Sequence, residues 1–231
     1  MADARLGVGL LAGARRRVGL ALVPVAALWL GVLWAASGVR PAGAPAPAPP
    51  PEPVLQPLAA SGDSVPIGGN FDSFELAGQA IAAPSNRDGT VVFFAGLARS
   101  KAEEGLFIVR GGHIAKLAAT GDAVPSGERI ADFTDHPGPV LNDAGAVAFA
   151  ASLTGGKAAG GVFVAADGKL NPVALSGAAA PEIAGGTLTS LERPVLDASG
   201  DVALLASVRR GRDNADAILL RRGGRLRKLV A

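Results

Sequence analysis

The 231 residues contain no cysteine and no tyrosine. The missing cysteine excludes disulfides, thiolate metal centres, a cysteine nucleophile and a lipid-modified cysteine at the amino end. If such a chain is exported, packing alone must hold it together. Aromatic residues are scarce, with eight Phe and two Trp. A net charge of +2 is too small to argue for nucleic acid, and so few rings offer little for bases to stack on. No G-x-S-x-G elbow, P-loop or H-E-x-x-H occurs, which removes the motif-borne hydrolase, nucleotide and zinc chemistries. The sequence points to no cofactor and no metal, and the reading it favours is not an enzyme.

What is present is apolar and rich in turn formers. Apolar residues make up 49% and charged residues 18%, so the chain is not a disordered polyelectrolyte. Gly 32 and Pro 17 imply many turns between short elements.

The amino end reads as a membrane signal. Residues 18–39, VGLALVPVAALWLGVLWAASGV, carry no charge. As a helix they would measure about 33 Å, against about 30 Å of hydrocarbon. Arg15, Arg16 and Arg17 precede them. The positive-inside rule then leaves residues 1–17 as a cytoplasmic basic end and sends the remainder outside. Cleavage after the small residues at 35–38 would instead release a secreted or periplasmic protein. Residues 40–53 form a Pro/Ala-rich linker that favours an extended polyproline path. Residues 54–231 are expected to form a β-repeat domain.

Within that domain the chain repeats itself. Asn86-x-x-Gly89-x-x-Val92-Phe93 is followed by Asn142-x-x-Gly145-x-x-Ala148-Phe149 and Asp197-x-x-Gly200-x-x-Ala203-Leu204, at steps of 56 and 55 residues. Gly112, Gly168 and Gly224 keep the step of 56. Gly105-Leu106-Phe107 recurs as Gly161-Val162-Phe163 and Ala217-Ile218-Leu219. Gly62-Asp63-x-x-Pro66 recurs as Gly121-Asp122-x-x-Pro125, and more loosely as Gly177 with Pro181. Independent marks at one period establish a tandem repeat.

Each unit reads as β-structure. Val147, Phe149, Ala151 and Leu153 alternate along one face. The opposite face is apolar too, through Ala148 and Ala150, with Val92 and Phe94 or Ala203 and Leu205 as counterparts. Such a strand is expected to be buried on both faces. Asn-x-x-Gly is a turn feeding it, since Asn bonds its own backbone and Gly accepts positive φ. In the second unit the spacing predicts strands near 134–141, 146–153, 161–166 and 170–176. An extra copy of the last strand is expected at 54–63. The fold class is therefore all-β, with three four-stranded antiparallel repeats of about 56 residues after one transmembrane helix. The repeats form propeller-like blades or an open array. Propellers usually have about four to eight blades, so closure would call for a homo-oligomer.

The N-x-x-G-x-x-A-F spacing, best at Asn142, Gly145, Ala148 and Phe149, resembles the choice-of-anchor tandem repeat proteins of bacteria. The resemblance covers residues 54–231 and implies an exported β-repeat protein of the cell envelope.

Candidate functional residues are few. Asp132, Asp135 and His136 sit together in DFTDHPG, but their spacing is better explained by a solvated loop than by a metal site. Asp63 and Asp122 are expected to cap backbone amides. The most distinctive feature is basic: Arg209, Arg210, Arg212, Arg221, Arg222, Arg225, Arg227 and Lys228. Such a patch outside the membrane would suit an anionic envelope polymer or an acidic protein partner, or would simply keep a sheet edge soluble. The leading expectation is a membrane-tethered binding or assembly module. Its rivals are an envelope-polymer hydrolase or lyase on the same scaffold and a structural spacer.

Overall fold

The computed structural model describes residues 56–231 apart from 77–78, 81–82 and 134–137. The expected cytoplasmic end, transmembrane segment and linker, together with Asp135 and His136, lie outside the described residues. Those that are described belong to one compact unit, Leu55–Ala231, and contain no helix.

Three antiparallel sheets account for most of the chain. The first is built from β1 (Asn70–Ser73), β4 (Val91–Ala98), β5 (Glu104–Arg110) and β6 (His113–Ala119), with β2 (Glu75–Leu76) and β3 (Gln79–Ala80) forming a small separate ribbon. The middle sheet has β7 (Arg129–Asp132), β9 (Val147–Thr154), β10 (Gly160–Ala166) and β11 (Lys169–Leu175) in that order, and β8 (Val140–Leu141) also pairs with β9. The last sheet is β12 (Thr187–Leu196), β13 (Val202–Arg210), β14 (Asp213–Arg222) and β15 (Arg225–Val230). Equivalent strands occupy equivalent places, so β4, β9 and β13 all stand second in their sheets. The hairpins β5–β6, β10–β11 and β14–β15 close on Gly111-Gly112, Asp167-Gly168 and Gly223-Gly224. Both residues of each turn have positive φ, the type I′ geometry that matches strand twist.

Packing follows from which faces are apolar. Val92, Phe94, Leu106 and Ile108 of the first sheet meet Val147, Phe149, Ala151 and Phe163 of the middle sheet in one core. The other face of the middle sheet offers small residues, Ala148 and Ala150, beside Val162 and Val164. The last sheet closes on that face with Val202, Leu204, Ala206 and Leu219. A third cluster, Phe71, Phe93, Phe107, Val109 and Val65, covers the outer face of the first sheet. All eight phenylalanines are spent in ring contacts. One group joins Phe71, Phe74, Phe93 and Phe107; the other joins Phe94, Phe133, Phe149 and Phe163.

Three expectations need correction. Of the expected first strand of the second unit, 134–141, residues 134–137 lie outside the described residues and Val140–Leu141 forms β8, while a further piece, β7, lies earlier at Arg129–Asp132. Residues 56–63 form no strand; they enter a turn in which Gly62 donates to the Phe71 carbonyl at 2.7 Å. Burial on both faces holds for Val147–Ala151 but not for β13, where Val202, Leu204 and Ala206 are buried and Ala203 and Leu205 only half-buried. The reason is positional, because no described sheet lies over the outer face of the last one.

Candidate interaction surface

The repeated turns do more than reverse the chain. Asn142 Oδ1 accepts from the Ala146 amide at 2.9 Å, and the Gly145 amide donates to the Asn142 carbonyl at 3.0 Å. Asn86 caps Asp88 and Thr90 in the same way, and Asp197 caps Ser199 and Asp201. Gly89, Gly145 and Gly200 have φ of 72°, 79° and 85°. At Gly145 a Cβ would also collide with the Arg110 guanidinium, which donates to the Gly145 carbonyl at 2.8 Å.

The amide end of each asparagine serves the next repeat. Asn86 Nδ2 donates to the Asn142 carbonyl at 3.4 Å, and Asn142 Nδ2 donates to the Asp197 carbonyl at 2.9 Å. The turns therefore form a ladder from sheet to sheet. Asp197 keeps the capping oxygen but has no N–H to give, so the ladder stops at the last sheet.

The Gly-Asp turns join one sheet to the next. Asp63 accepts from the Ala60 amide at 2.8 Å. Asp122 accepts from the Ala119 amide at 2.9 Å and from the Lys116 ammonium at 2.7 Å. Gly121 donates to the Ile130 carbonyl and Gly177 to the Leu188 carbonyl, which ties each sheet to the first strand of its successor. In the third turn Ala178 replaces the aspartate and no side-chain cap forms.

Sequence reasoning missed two features here. Thr120 and Ser176, one step of 56 apart, accept amides from the loops before β5 and β10 at 2.8 Å each. Their signal was a hydroxyl residue immediately before each turn glycine. The other feature is Glu128, only 7% exposed, whose Oε1 accepts from the Ala158 amide at 3.4 Å. The Ser126 hydroxyl and nearby backbone amides hold its carboxyl below the usual carboxylate range, against the opposing effect of burial.

The eight basic residues do not make one patch. In the first two units Ala102 and Ala158 tuck into the loop at 7% and 6% exposure. The third unit has Asp213 in that place, which cannot be buried unpaired, so the loop straightens into paired strands. Arg209, Arg210 and Arg212 therefore ride on the exposed tip of β13–β14. Arg221, Arg222, Arg225, Arg227 and Lys228 gather at the β14–β15 end, about 30 Å away along β14. Arg222 pairs with Asp201, which raises its already high pKa. Arg227 and Lys228 line a cleft of about 430 Å³ with Glu182, Leu220 and Leu229.

His113 is exposed at the start of β6. Among the described residues no three His, Cys, Asp or Glu side chains lie close enough to hold a metal ion. Among the same residues no helix is long and apolar enough to cross a membrane.

A family of unknown function, DUF7453, has a model that matches residues 53–231. No curated protein and no solved structure matches the chain significantly.

Proposed function

The chain belongs to the DUF7453 family, and on that premise we propose that it is a membrane-tethered module on the outer side of the membrane, acting by binding or assembly. The uncharged run at 18–39 after three arginines supports the tether and its orientation. The spacing shared with choice-of-anchor repeat proteins supports a place in the cell envelope. The three sheets are read as consecutive blades of an open, propeller-like array, a rigid support that holds surface groups at fixed separations.

The observation that carries the binding reading is the cationic end of β14–β15. Among the described residues only Arg222 of this group has an ion-pair partner. Arg225 and Arg227 are exposed, Arg221 and Lys228 are half-buried, and the cleft beside them is open to solvent-borne anions. The occupant that fits is an anionic envelope polymer or an acidic protein segment.

Replacing Arg225 and Arg227 together by Glu should weaken binding of dextran sulfate, a model polyanion, at least about tenfold and flatten its salt dependence. Both positions are exposed, so the unfolding free energy should stay within about 0.5 kcal/mol of the parent. Unchanged polyanion affinity in a folded double variant would eliminate this reading.

A further inference from the structure

We propose that the outward face of the last sheet is a docking surface for a second copy of this chain, packed face to face with strands β14 antiparallel. The proposal does not rest on polyanion binding; Arg222 and Arg227 lie on the same face, so a second copy and a polyanion would compete for it.

Four of the six exposed large apolar residues among those described lie on this one sheet: Val195, Ile218, Leu229 and Val230, at 62%, 43%, 54% and 61%. They are not scattered. Leu205 pairs across to Ile218, which pairs to Val230, and Val195 pairs to Ala203, which pairs to Leu220. The apolar part of these two adjacent rungs ends in a charge at each edge of the sheet, Glu192 beside Leu205 and Arg227 beside Leu220, and is flanked along β14 by Asp216 on one side and Arg222 on the other. The sheet offers about 19 Å by 30 Å, or about 600 Å². That lies at the small end of stable interfaces, which bury about 800 Å² per partner.

Three observations select a second copy in this arrangement. Along β14 the outward residues read Asp216, Ile218, Leu220, Arg222. A twofold rotation with β14 antiparallel sets Asp216 over Arg222 and Ile218 over Leu220 in both directions at once, the self-complementarity an isologous interface requires. Head-to-tail stacking would need the outer face of the first sheet, which this chain already covers with Val65 and its phenylalanine cluster. Continuing the array would also need an amide donor at Asp197, which a carboxylate lacks.

The absence of cysteine makes the test direct. The full chain in mild detergent, carrying Ile218→Cys, should be joined into a dimer by a bis-maleimide of about 12 Å reach, because the two thiols would lie on sheets about 10 Å apart and about 7 Å offset along the strand, while Lys101→Cys, exposed on the β4–β5 loop of the first sheet, should not. Sedimentation should give a dimer for the parent and a dissociation constant raised at least about tenfold by Ile218→Glu. Asp216→Arg should act in the same direction, with the circular dichroism of both variants unchanged. A parent that stays monomeric would overturn the proposal. So would a dimer indifferent to Ile218→Glu, which would place the contact elsewhere, for instance at residues 18–39. If the thiol of the Ile218→Cys variant is protected from a thiol reagent only when anionic vesicles are added, the face belongs to lipid instead.

Discussion

At the residue scale, the glycine that opens each β5-type strand is set by the ring two positions later. A Cβ on Gly161 would come within 2.9 Å of Phe163 Cζ and 2.7 Å of Leu175 Cδ2. On Gly105 it would come within 2.6 Å of the Phe107 ring. Where the ring becomes Leu219, the glycine becomes Ala217, and both are buried. Gly161→Ala should therefore cost about 1–3 kcal/mol in urea unfolding, and Phe163→Leu in the same chain should recover part of that loss. The ladder makes a second test. Asn142→Asp keeps the turn cap but turns a buried acceptor toward the Asp197 carbonyl, at a cost of about 1–3 kcal/mol. Asp197→Asn, with no rung beyond it, should change stability by less than about 0.5 kcal/mol. Equal losses at both positions would argue that the rungs contribute nothing. The turn at each Asn-x-x-Gly was legible in the sequence, because Asn and Gly carry local conformational preferences. The ladder was not, since a side-chain amide's partner 55 residues away is set by packing.

At the element scale, the loops decide how each hairpin ends. Glu128 reaches from the segment before β7 to the 156–158 loop of the middle sheet, and a Cβ on Gly156 would strike its side chain. Folding lowers the Glu128 pKa, so its contribution is fully present above the ordinary value of 4.5 and fades as pH falls through the lower folded value. The stability gap between the parent and Glu128→Gln should thus be constant near neutrality and shrink in acid, as measured by urea midpoints down to about pH 3. A gap that widened in acid would contradict the assignment. Strand positions were readable wherever period-two alternation ran for several residues, as in β9. They failed at β7 and β8, neither of which is long enough to show a period. The straightened third loop was legible only as a difference in charge; the pairing it allows depended on the buried alanines it replaces.

At the scale of the whole molecule, the three sheets are not equal. The middle sheet is covered on both faces, the first is covered on its outside by its own phenylalanines, and the last has one open face. Amide exchange should therefore be slowest in β9 and β10 and fastest in β15, whose residues are all half-buried or exposed. Uniform protection across the sheets would show that the open face is covered in solution. That outcome and the cross-linking test with Ile218→Cys bear on the same surface from two sides.

By itself the sequence determined the all-β class, the step of about 56 residues and the turns that lead each central strand, because backbone preference and side-chain alternation are local properties repeated three times. Tertiary structure decided which apolar faces are covered, how the asparagines connect one sheet to the next, and that the basic residues divide between two ends of β14. Those outcomes depend on distances between segments remote in the chain. An exposed valine and a buried one read the same until the neighbouring sheet is in place.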